Sequence, residues 1–118
     1  MEVWHHPIEG SPSRLATEVD VASSRGAKAR GLMFRRSFDP GRALVFPFDD
    51  AVTRGLHMVF VFFPIDAIWT VGDEVTHCKR LRPFLGLGWA RADRVIELPA
   101  GAADGVAVGD RVTVERST

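Results

Sequence analysis

The sequence contains no tyrosine, no asparagine and no glutamine, and a single cysteine, Cys78. One thiol cannot close an intramolecular disulfide, so the fold is not stapled and an oxidising compartment is not implied. Cysteine-rich zinc sites are excluded for the same reason. Net charge is also missing: 15 basic residues balance 15 acidic ones. No global field therefore draws the chain to nucleic acid or to an anionic surface, although local patches remain open. Long apolar runs are absent. The longest, Met58 to Ile65, contains Pro64 and falls far short of the roughly 20 apolar residues that span a bilayer. The first residues, Met1-Glu2-Val3-Trp4-His5-His6-Pro7, lack a basic stretch followed by an apolar one. No signal peptide is expected, and a cytoplasmic location is. Lysine is scarce, with Lys28 and Lys79 against 13 arginines. Codon bias in a GC-rich genome explains this more simply than selection against heat-labile amides.

What is present suits a single globular domain over residues 1–118. Hydrophobic residues make up 46% of the chain and charged residues 25%, both ordinary values. A chain of this length buries roughly two thirds of its unfolded surface. Leu15 to Val21 alternates with period two, which predicts a half-buried strand. Ser23 or Ser24 can cap a short helix over Arg25 to Arg30, limited to about two turns by Gly26 and Gly31. Asp39-Pro40-Gly41 is a strong turn signal. Strands are expected at Ala43–Phe46, Leu56–Phe63 and Ile65–Val71. Gly72-Asp73 then turns the chain into a hairpin strand, Glu74–Leu81. Arg82 to Gly88 reads as a loop. Asp93–Leu98 and Val112–Glu115 complete the set, with one helical turn expected near Ala102 to Val106. Many short strands predict a mainly β fold, a β-sandwich of jelly-roll type or a rolled barrel, with one or two short helices.

No constellation of catalytic type stands out. His5-His6 and His77-Cys78 are chain neighbours, so in strands they face opposite ways and share no metal. No metal site and no cofactor are expected. Cys78 reads as an inert buried thiol rather than a nucleophile. Neither Gly-x-Ser-x-Gly nor a phosphate loop occurs, and Gly86-Leu87-Gly88 alone carries almost no weight. Two basic groups are more informative. Arg25, Lys28, Arg30, Arg35 and Arg36 form one. Lys79, Arg80 and Arg82 form the other, with Phe84 and Trp89 close by. Such groups suit a solvated face, or a groove for an anion, a sugar or single-stranded nucleic acid. They give no strong nucleic-acid signal. Asp66 and Glu97 lie within otherwise apolar strands. A carboxylate there is paired, hydrogen-bonded or functional, and a salt bridge to an arginine such as Arg35 is the first expectation.

Three blocks carry a resemblance to a known family. The first is Ala29-Arg30-Gly31-Leu32-Met33-Phe34-Arg35, similar to a Gly-Leu-Met-x-Arg motif. The second joins Ala43-Leu44-Val45-Phe46, His57-Met58-Val59-Phe60 and Phe63-Pro64-Ile65-Asp66. The third is Val95-Ile96-Glu97-Leu98-Pro99-Ala100-Gly101, followed by Val108-Gly109-Asp110. Over about residues 15–114 their order and spacing resemble the family called domain of unknown function 192. The middle block departs from the commoner Phe-Trp-Met-Lys-Asn-Thr, since Leu56-His57-Met58-Val59-Phe60-Val61 stands here. Val59 and Phe60 stand in place of the Lys and Asn, and the expectation is that His57 replaces part of their polar role. Many bacterial relatives in that family are exported, whereas no signal segment is expected here. The resemblance implies a compact jelly-roll sandwich and no established activity, cofactor or partner. Within the motifs, Gly31, Gly101 and Gly109 suit turns with positive φ. Met33 and Met58 suit the core, and Pro64 and Pro99 bound strands.

The functional expectation is a non-enzymatic binding module for a small ligand or anion. Its candidate ligand-binding residues are Arg30, Arg35, His57, Asp66, Arg82 and Trp89. One alternative is an enzyme with His57 and Asp66 or Glu97 as acid–base groups. Another is a protein–protein adaptor working through an exposed sheet edge or apolar patch.

Overall fold

A computed structural model describes residues 1–117. Eight strands and one helix follow the order β1 (Glu2–His6), β2 (Ser13–Ala16), β3 (Glu18–Val21), α1 (Arg25–Arg30), β4 (Arg42–His57), β5 (Ile65–Val71), β6 (Glu74–Leu81), β7 (Leu87–Pro99) and β8 (Arg111–Glu115). All eight strands join one sheet, in the order β2-β1-β8-β6-β5-β7-β4-β3. The fold is mainly β, as composition and periodicity predict. The edge strands β2 and β3 are consecutive in the chain, with Thr17 alone between them. Two Cα–Cα steps span about 7 Å, so the edges lie side by side and the sheet curls round on itself.

Curling gives the sheet two buried faces. The inner face gathers Val3, Ala16, Ala43, Val45, Ile68 and Ile96, with further apolar residues from the other three strands. The outer face of the central strands packs Leu44, Phe46, Trp69 and Val95 against Leu32, Met58 and Val61, which come from the connecting segments. β5 is therefore buried on both sides along almost its whole length. β7 alternates cleanly: Ile96 and Leu98 point inward, and Val95 points outward.

Several sequence expectations change here. Leu15–Val21 is two strands rather than one, broken at Thr17 where the chain passes from one sheet edge to the other. β4 runs unbroken from Arg42 to His57, through Pro47 and Asp49-Asp50. Its register against β7 shifts between Pro47 and Val52, and such a bulge accommodates a residue without a backbone N–H. The expected strand Leu56–Phe63 ends at His57. Beyond it the chain turns, with Val61 N donating to Met58 O at 3.0 Å. β7 starts at Leu87, earlier than Asp93, because Gly86 and Gly88 are there for close packing. A Cβ on Gly86 would stand 2.8 Å from Arg82 N, Leu81 Cβ and Met58 Cγ, and one on Gly88 would stand 2.7 Å from the Trp69 ring.

β3 and β4 are parallel, unlike the other pairs, so a crossover must join them. α1 lies in that crossover. Ser24 caps it, its side chain accepting from Ala27 N at 3.0 Å. Gly31 ends it at φ 49°, a conformation that favours glycine. Gly101 and Gly109 likewise have positive φ, 99° and 93°. Met58 is buried and Met33 packs against the same cluster. Pro64 immediately precedes β5 and Pro99 ends β7.

Candidate functional site

A cleft of about 440 Å³ opens between α1 with its following turn and the outer face of β4 and β7. Phe46, Val95 and Glu97 form its floor, and Lys28, Arg30, Arg54 and His57 are among the residues lining it. Strand alternation places the floor. Glu97 stands opposite Leu44 of β4 and Ala67 of β5, in the middle of the sheet, on the same face as Val95. Gly31 closes over it. A Cβ there would come within 3.4 Å of Phe46 and 3.6 Å of Glu97 Oε1.

Glu97 is only 6% exposed. Burial pushes its carboxyl up to about 8, and the positive charge of Arg35 pulls only part of the way back. No described residue gives its oxygens a hydrogen bond. The one side-chain polar atom that is both sealed and unpartnered among the described residues is Arg94 Nε. The Glu97 oxygens therefore keep access to the cleft. At neutral pH the group is mostly the neutral acid, able both to donate and to accept. Above it, Phe48 lies between two cations: Lys28 Nζ is 4.5 Å and Arg54 Cζ 3.8 Å from its ring centre. Arg54 is also held by Asp50 at 2.6 Å. His57 ends β4, with its Nδ1 accepting from Val59 N at 3.3 Å.

The residues singled out from the sequence separate into groups. Arg30, His57 and Glu97 share the cleft. Arg35 is half-buried in an adjoining depression with Asp20, Val21 and Leu44 and acts on Glu97 through its charge. The expected pair of Arg35 with Asp66 does not form. Asp66 faces the opposite side of β5, where it accepts from Arg80 Nε, Gly101 N and Ala103 N, each at 2.9 Å. Strand alternation makes that separation obligatory: Ala67 is paired with Glu97, so its neighbour Asp66 points the other way. Asp66 anchors the turn after β7, and an acid–base pairing of His57 with Asp66 is ruled out. Arg82 and Trp89 are exposed and lie outside the cleft. Cys78 is half-buried, and burial pushes its thiol up to about 11, which makes it a poor nucleophile at neutral pH.

Sequence reasoning placed Lys28 in a basic group but not among the candidate site residues, and it missed Arg54 and the two phenylalanines at this site. It also missed a buried pair at the other end of the molecule. His5 Nε2 lies 2.7 Å from Asp110 Oδ2, and Asp110 also accepts from Ile8 N and Ala107 N. These ligatures tie the N-terminal strand and the loop before β8 together.

Comparison with known proteins agrees with the fold. The family model DUF192, described as "Uncharacterized ACR", matches residues 7–114. The chain belongs to this family. A solved structure from Sinorhizobium meliloti 1021, provisionally described as a transcription regulator, is similar with a TM-score of 0.84 and 22% identity. The match covers 95% of this chain and 91% of that one. A protein of unknown function from Novosphingobium aromaticivorans DSM 12444 is similar with a TM-score of 0.82 and 21% identity, over 96% of this chain and 84% of the other. None of the curated proteins matches. At these identities the structural likeness speaks for the fold alone.

Proposed function

We propose that this protein binds a small organic anion, such as an organic acid or sugar acid, in the cleft floored by Glu97. The observation that carries this reading is a nine-tenths buried carboxyl without a hydrogen-bond partner, aimed into an open cleft. A polar group so placed is costly until something satisfies it. The apolar floor of Phe46 and Val95 suits the ligand's body. Lys28 and Arg30 at the mouth suit its charge, and the neutral acid of Glu97 donates to an acceptor on the ligand.

A thermal-shift screen of small organic acids and sugar acids near pH 7 tests this, because a ligand that binds only the folded chain raises Tm. At least one class should raise it, and Glu97→Leu together with Lys28→Glu should abolish the rise. No shift from any class at high concentration contradicts the reading. A second reading rests on Glu97 titrating near neutral pH in a cleft that His57 also lines, and such a value is where an acid–base catalyst works best. Under that reading Glu97→Gln keeps ligand affinity but loses turnover. Under the first, no turnover occurs to be lost.

A further inference from the structure

Three segments meet on one part of the surface: the turn after α1, the stretch after β4 and the loop between β6 and β7. Phe34 N donates to Phe60 O at 2.9 Å, Met58 N to Gly86 O at 3.1 Å and Phe84 N to Val61 O at 3.2 Å. Glycine at position 86 is what lets them come so close. Their tips carry large exposed apolar side chains, Phe34, Phe60, Phe62, Phe84 and Leu85. Four of the five exposed aromatic residues are on these tips, and the fifth, Trp89, stands near the start of β7. Phe34 stacks on Phe60 at 4.8 Å and Phe62 leans on Phe84 at 5.4 Å. Phe34, Phe60 and Phe84 all have positive φ, near 60°, which is rare for bulky residues. Three strained tips presenting phenylalanine to solvent are not accounted for by packing.

Charge is distributed just as unevenly. Residues 25–38, 51–65 and 75–92 contain ten of the 15 basic residues and none of the 15 acidic ones. Of the ten, Arg54 and Arg80 are paired with acids, and the other eight form no salt bridge among the described residues. The segments that carry the aromatic tips are therefore cationic, although the chain as a whole is neutral. Two of the three segments lack hydrogen-bonding side chains almost entirely: Met58 to Ile65 has none, and Pro83 to Ala90 has only the Trp89 indole. A protein interface of ordinary size carries a hydrogen bond every 100–200 Å² or so. Apolar tips over a cationic base match instead the layering of a bilayer surface, with acyl chains beneath anionic headgroups.

We infer that this face docks the protein onto a bilayer surface containing anionic lipid. Phe34, Phe60 and Phe84 enter the interface, while cations including Arg35, Arg36 and Arg82 stay at headgroup level. The inference does not depend on the cleft.

Vesicle co-sedimentation tests it, using phosphatidylcholine alone and phosphatidylcholine mixed with phosphatidylglycerol. The chain should bind the mixed vesicles and not the neutral ones, and added salt should weaken binding. A triple variant, Phe34→Gly/Phe60→Gly/Phe84→Gly, keeps backbone conformations that glycine adopts freely. It should fold and yet lose binding by at least about tenfold. Arg36→Glu/Arg82→Glu, which changes only exposed residues outside the cleft, should lose it as well. Trp89 emission should shift to the blue only with anionic vesicles. The inference is overturned by absence of binding to anionic vesicles, or by binding that survives both variants. It is overturned equally if the wild type is a dimer that the glycine variant dissociates, or if single-stranded oligonucleotides bind this face and vesicles do not compete.

Discussion

At the scale of single residues, Glu97 and Asp66 show how one strand position decides a carboxylate's role. Both sit in apolar strands next to one another across the β5–β7 ladder, on opposite faces. Asp66 accepts two backbone amides and the Arg80 guanidinium, so its charge is compensated. Replacing it with alanine should cost about 3 kcal/mol, since it leaves those donors unmatched. Urea denaturation of Asp66→Ala measures this. Glu97 has no such partners, and the sign of its effect is reversed. Its folded-state value of about 8 lies above its ordinary 4.5. Below pH 4.5 both states hold the proton and nothing is lost. As pH rises from 4.5 through 8, the unfolded chain releases a proton that the folded chain keeps, and stability falls by about 1.4 kcal/mol per unit. Glu97→Gln removes that slope. The variant should be more stable than wild type by about 3 kcal/mol at pH 7 and equal to it near pH 4, which denaturation at the two pH values will show. A group that destabilises its own fold is what a stability–function conflict predicts for the proposed site.

At the scale of elements, two glycines with different surroundings should behave differently. Gly86→Ala forces a methyl to within 2.8 Å of the Arg82 backbone and two side chains. It should cost about 2–3 kcal/mol and loosen the loops that carry the aromatic tips. Gly72→Ala meets nothing within 4 Å and suffers only its φ of 58°, at about 1 kcal/mol. Denaturation midpoints of the two variants should fall in that order. Elements were legible where local pattern and global role agree. Ile65–Val71 and Glu74–Leu81 match their predicted bounds, and Ser24 caps α1. Local pattern failed where tertiary contacts override it. Pro47 and the aspartates after it look like the end of a strand, yet a bulge carries β4 past them. Val59 to Phe63 has strong β propensity, yet its backbone hydrogen bonds go to a turn and to neighbouring loops. Half of the cleft was visible in the same way: His57, Arg30 and Glu97 stood out as polar residues in apolar or basic contexts. Arg54 did not, and Lys28 stood out only as a member of a basic group, because nothing in the sequence announces that α1 folds over β4. The face on which Asp66 lies follows only from its register with Glu97.

At the scale of the whole molecule, the pH dependence of stability combines two remote sites. Although burial works against its charge, the hydrogen bonds from His5, Ala107 and Ile8 hold the Asp110 carboxyl below its ordinary value. Its stabilising contribution is therefore present above the usual carboxylate range and is lost as pH falls through the lowered value. Glu97 acts from the alkaline side. Stability should peak in the weakly acidic range. Glu97→Gln should extend the peak toward neutral pH, and Asp110→Asn should remove the acid limb. Thermal unfolding across pH for the three chains checks this. Hydrogen exchange should also show β1 opening more readily in Asp110→Asn, since that carboxylate links the first strand to a loop more than a hundred residues away.

The most direct test of the site is the titration of Glu97 itself. Carbon-13 NMR of the side-chain carboxyls, assigned with Glu97→Gln, gives its midpoint in the folded protein. A midpoint near 8, moving further up when an acid from the screen is bound, is the predicted result. A midpoint near 4.5 would mean that the carboxyl is solvated or paired, and that the cleft is not built around an unsatisfied acid.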